Sequence, residues 1–130
     1  MEQDRLYIVT RSDLPVGLQA AQSAHAAFEF SRQHRLVATG WMVESNFIVL
    51  VTVPDEDSLA RVATTANERG LRITLNYEPD VDNQLTAVVI EPGPEARRLC
   101  SHMPLVGKGL LSEVIESPAA ATGKDPSMVT

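Results

Sequence analysis

Positions 18, 22, 25 and 29 fall at i, i+4, i+7 and i+11. On a helix, Leu18, Gln22, His25 and Glu29 would therefore share one stripe. Histidine is the side chain best matched to proton transfer near neutral pH. Gln22 and His25 lie within two turns of the expected helix start, where backbone N–H groups favour anions. Asp13 precedes them in a loop between a strand and that helix, the usual ligand side of an α/β sheet. Each residue also has a purely structural account: a Gln-His-Glu stripe as the solvated face of an alanine-rich helix, and Asp13 as a turn or cap residue. Thr86 opens a strand, as β-propensity alone would allow, and Trp41 reads as a packing residue. Cys100 has no base near it in sequence and reads as an inert thiol. The histidines, at 25, 34 and 102, are too scattered to form a local ligand pair with Cys100, so neither a metal nor another cofactor is expected. No G-x-G-x-x-G, Walker loop, G-x-S-x-G elbow or H-E-x-x-H is present.

The elements around this stripe are legible in the residue pattern. Leu6 to Arg11 is β-branched, aromatic and nearly continuous in apolar character, as a buried strand would be. Ser12 to Gly17 reads as a loop. Leu18 to about Arg35 carries no Gly or Pro and is dense in alanine, so a helix is expected. Leu36 to Ser45, with Gly40, reads as a linking stretch with room for a short helical turn. Asn46 to Val53 is the clearest strand. Asp55 is the expected N-cap of a second helix, with Leu59, Val62, Ala63 and Ala66 as its apolar stripe and Gly70 at its end. Leu71 to Tyr77 and Leu85 to Ile90 read as strands joined by the polar connector 78–84. Pro94 starts a last short helix over 95–101.

The order β-α-β-α-β-β-α predicts a three-layer α/β/α domain over residues 1–107. Its four-stranded sheet is mixed, with the helix-linked strands parallel and the last pair antiparallel. Residues 108–130 read as a flexible tail, in which Leu110, Leu111, Val114 and Ile115 could form one amphipathic turn against the domain or a partner.

Composition bounds the function. At 130 residues with 44% apolar and 22% charged side chains, the chain is sized for one globular domain. The longest apolar run, Phe47 to Val53, is far short of the ~20 residues that span a bilayer. The start, Met1-Glu2-Gln3-Asp4, is unlike a signal peptide, and a single cysteine suits a reducing compartment. A cytoplasmic protein that binds no membrane is expected. Net charge is −6, and residues 5–107 hold nine arginines, no lysine and 12 acids. That balance disfavours an avid grip on tRNA or DNA but leaves room for a local basic patch.

From Arg11 onward the chain resembles the type II peptidyl-tRNA hydrolase family, whose pattern is R-x-D-L, a loop, then G-K-x-A-x-Q-x-x-H-A. Arg11, Asp13, Leu14, Gly17, Ala20, Gln22, His25 and Ala26 match in order. Val53-Pro54-Asp55-Glu56, Gly70-Leu71, the run Thr86 to Pro94, and Met103-Pro104-Leu105 extend the likeness over residues 5–107. Two positions depart from it. The family's lysine falls on Leu18, which can neither hold a phosphate nor assist a proton transfer. Its aspartate after the third strand falls on Glu78.

The resemblance implies a homodimer of this fold that hydrolyses the ester between a peptide and tRNA, with water as nucleophile and no metal. Glu78 or Asp13 would orient the water, His25 would shuttle the proton or act as an orienter, and Gln22 and Thr86 would donate or accept hydrogen bonds. Gly17 would belong to the substrate-binding set with Gln22 and Thr86, and Arg11 would be the spare cation for a phosphate. Two alternatives stand beside it. One is a non-catalytic homodimeric binding or regulatory module of the same fold. The other is a hydrolase of a smaller ester or amide.

Overall fold

A computed structural model of the protein describes residues 4–108. Four strands, β1 (Arg5–Arg11), β2 (Phe47–Val53), β3 (Ile73–Glu78) and β4 (Gln84–Ile90), form one sheet in the order β2-β1-β4-β3. β1 and β2 pair in parallel, and β4 runs antiparallel to both β1 and β3. The carboxyl ends of β1, β2 and β3 therefore meet the amino end of β4 at one edge of the sheet. The central strands β1 and β4 are buried almost end to end, which explains their nearly continuous apolar runs, whereas the edge strands β2 and β3 are partly exposed.

Helices α1 (Val16–Gln33) and α2 (Arg35–Glu44) cover one face, and α3 (Glu56–Glu68) and α4 (Pro94–Cys100) cover the other. Phe30, Ala26, Ala38 and Trp41 pack on Leu6, Ile8, Ala87 and Val89. On the opposite face Leu59, Val62, Ala66, Ala96 and Cys100 pack on Tyr7, Val9, Val88 and Ile90. The three layers and the mixed sheet are those expected.

Local differences have identifiable causes. α1 starts at Val16, two residues before the expected Leu18, so Gly17 lies inside its first turn. The run expected to continue to Arg35 breaks at His34, whose backbone leaves the helical region and whose Nε2 sits 3.0 Å from the Ile73 carbonyl. The expected linker is the ten-residue helix α2. Gly40 weakens such a helix by only about 1 kcal/mol, and the burial of Ala38 and Trp41 outweighs that. Asp55 caps α3 as expected, its carboxylate accepting from the Ser58 N–H at 2.8 Å. Among the described residues, no helix is long and apolar enough to cross a membrane. The tail expected beyond Lys108, with its amphipathic turn, lies outside the described residues.

Candidate active site

A register shift in the β3–β4 ladder sets the site. Asn76 faces Ala87 and Tyr77 faces Leu85, so Thr86 is the extra, unopposed residue on β4. The bulge breaks the two-residue alternation: Leu85 packs on the α3 side and Ala87 on the α1 side. Thr86 is left turned toward α1, with its hydroxyl 2.8 Å from Gln22 Oε1. Thr10 holds the bulge from behind by donating its hydroxyl to the Thr86 carbonyl at 2.7 Å.

Gln22 is 2% exposed and is bound at both ends. Its Oε1 accepts from Asn76 Nδ2 at 2.7 Å as well as from Thr86. With two donors on the oxygen, the amide can point only its NH2 outward, and Nε2 donates to Glu78 Oε1 at 2.8 Å. Glu78 ends β3, where Asp82 and Asn83, both with positive φ, turn the chain back into β4. Its second oxygen accepts from the Asp80 N–H at 3.2 Å. The Gln22 hydrogen bond, then the Asp80 N–H, then the charge of His25 hold this carboxyl below the usual glutamate range, so it is an anion at neutral pH. His25, one turn beyond Gln22, is exposed. An amide locked by a strand pair thus holds a carboxylate within range of the charge of an accessible imidazole.

Other expected members lie elsewhere. Arg11 is not a spare cation: it is buried on the α3 side of β1, and its fork is already occupied. Nε and Nη2 donate to the two oxygens of Asp13 at 2.8 Å each, and Nη1 donates to Gln84 Oε1 and the Leu85 carbonyl. Asp13 is spent in that bidentate pair, and no hydrogen bond among the described residues joins it to Gln22, His25 or Glu78. Glu29 pairs with Arg32 at 2.8 Å. Gly17 needs no special conformation, and a Cβ there would meet nothing within 4 Å. The first turn of α1, which has no side-chain cap, stays open to its surroundings. Leu18 is partly buried. Cys100 is fully buried and its thiol is pushed up to about 12. Among the described residues, no three His, Cys, Asp or Glu side chains gather as metal ligands.

The Arg11 hydrogen bond, followed by the Arg11 charge, holds the Asp13 carboxyl below its ordinary range. A carboxyl whose folded pKa is depressed stabilises the fold above its unfolded pKa of about 3.9, and that contribution disappears as pH falls through the lower folded value. Asp13 is 41% exposed, so the pair contributes only about 1 kcal/mol. In urea unfolding, Asp13→Asn is expected to cost that amount at pH 7, the gap to wild type closing below the ordinary carboxylate range.

Sequence reasoning missed Asn76. Its signal was an inverted alternation on β3: Thr74 and Asn76 face α1, while the apolar Leu75 and Tyr77 are exposed. It also missed Glu56, whose Oε2 accepts from the Leu85 N–H at 2.7 Å, next to the bulge.

The family model described as Peptidyl-tRNA hydrolase PTH2 matches residues 5–102. A solved structure of a protein of unknown function from Agrobacterium tumefaciens strain C58 aligns with a TM-score of 0.61 at 14% identity. The alignment covers 81% of this chain and 98% of that one. No curated protein matches the chain.

Proposed function

The chain belongs to the peptidyl-tRNA hydrolase PTH2 family, and from that premise we propose that it hydrolyses the ester joining a peptide to the terminal ribose of tRNA. The observation that carries this reading is Gln22, buried and tied at both ends, with its Nε2 on the Glu78 carboxylate, which feels the charge of His25. Each oxygen of Glu78 keeps a lone pair that can orient a water molecule. The water oxygen adds to the ester carbonyl as His25 takes its proton. His25 then returns that proton to the departing ribose oxygen, giving a peptide carboxylic acid and free tRNA. The uncapped first turn of α1, left open at Gly17, offers N–H groups to a terminal phosphate.

Leu18, where the family pattern has lysine, favours a weaker grip on that phosphate than a cation would give. Purified protein is expected to release tRNA from an N-blocked aminoacyl-tRNA, and His25→Ala to remove that release. Leu18→Lys is expected to raise kcat/KM about tenfold, equivalent to ~1.4 kcal/mol of added transition-state binding. No turnover in wild type, with no tRNA retained on a filter even at low salt, would favour the non-catalytic module instead.

A further inference from the structure

α1 carries a second stripe, opposite the one that holds His25. Ala20, Ala24, Ala27 and Phe28 line an apolar groove of about 400 Å³, closed on its far side by Met42 of α2 and by Ile48 and Leu50 of β2. Phe28 is 79% exposed and Met42 and Ile48 are about half exposed. Single exposed apolar side chains are ordinary on a protein surface, but these share one concavity.

The chain's own course supplies an occupant. Past α4, Leu105 bridges Val51 on the open edge of β2. Pro104 accepts from the Thr52 N–H at 2.8 Å, and the Val106 N–H donates to the Leu50 carbonyl at 3.0 Å. Gly107, at φ +75°, then turns the chain so that the Lys108 N–H reaches the Leu105 carbonyl. The described chain thus ends beside Leu50, whose side chain lines the groove. Leu110, Leu111, Val114 and Ile115 follow within seven residues of Lys108, a reach of at most ~25 Å extended or ~10 Å as a helix. On a helix, their spacing would put them on one face, with Glu113 and Glu116 on the other. Residues 117–127 are all Ser, Pro, Ala, Thr, Gly, Lys or Asp and could not fill such a groove.

We propose that residues 110–115 seat in the groove between α1, α2 and β2 of their own chain. Covering it removes the apolar concavity from water and extends the hold that residues 104–106 already have on the β2 edge. This proposal is independent of the hydrolase reading.

The test uses the full chain carrying Phe28→Cys and Leu111→Cys, treated with a short bis-maleimide. Cys100 does not compete, being buried with its thiol pushed up to about 12. A crosslinked product of monomer mass is expected to form about tenfold faster than in the same pair also carrying Leu110→Ser, Val114→Ser and Ile115→Ser. That second chain has the same tether but no apolar contact, so it measures the tether's own effective concentration. Should Phe28→Cys fail to fold, Met42→Cys with Leu111→Cys gives the same readout. Equal rates in the two chains would overturn the proposal. So would crosslinked dimers whose yield falls on dilution, which would place a second copy in the groove.

Discussion

Glu78→Gln is expected to slow ester hydrolysis at pH 7 by about 10²–10⁴-fold while leaving the urea unfolding midpoint near that of wild type. The amide keeps the carboxylate's shape, and its carbonyl oxygen can still accept from Gln22 Nε2, so the substitution removes the charge and, at the other position, the acceptor for the exposed Asp80 N–H. A lost rate at an unchanged midpoint would assign the charge to the reaction. Undiminished turnover would leave Glu78 only its structural contacts. Glu78 is held below its ordinary value, so its charge is present at pH 7, where the comparison is made. The measurement is of kcat on an N-blocked aminoacyl-tRNA for wild type and variant at that pH.

Phe30→Ala is expected to destabilise the fold by about 3–5 kcal/mol, a large share of a domain's usual total. Phe30 is fully buried and lies where α1 and α2 meet the sheet, in the cluster with Leu6, Ile8, Ala38 and Trp41. Its ring also lies 5.0 Å from that of His34, at the break between the two helices. Losing it leaves a cavity that the rigid strands β1 and β4 cannot close. The urea midpoint should drop accordingly, with hydrolysis falling only as the folded fraction falls. Glu29→Ala, which breaks the exposed salt bridge with Arg32, is expected to shift the midpoint hardly at all.

Most of the fold was legible because its signals are local. The buried strands Leu6–Arg11 and Leu85–Ile90 advertise themselves by nearly continuous apolar runs, and Asp55, Gly70 and Pro94 mark helix ends by backbone chemistry that needs no tertiary partner. Helix α2 was less legible, since Gly40 disfavours it locally and the burial of Ala38 and Trp41 against the sheet decides it. The pairing of Gln22 with Glu78 spans 56 positions, and no spacing rule reaches that far. The role of Thr86 depends on a bulge that exists only once β3 and β4 are in register. Arg11 looked available because its partners Gln84 and Leu85 lie more than 70 positions away in the chain.

The most direct measurement is a double-mutant cycle on ester hydrolysis with His25→Ala, Glu78→Gln and the two combined. If Gln22 presents the carboxylate to the imidazole so that the two act on one water, each single change removes the function of both. The double variant is then expected to be no slower than the slower single variant, within about threefold. Losses that multiply in the double variant, or a wild-type rate in either single one, would contradict the coupled pair.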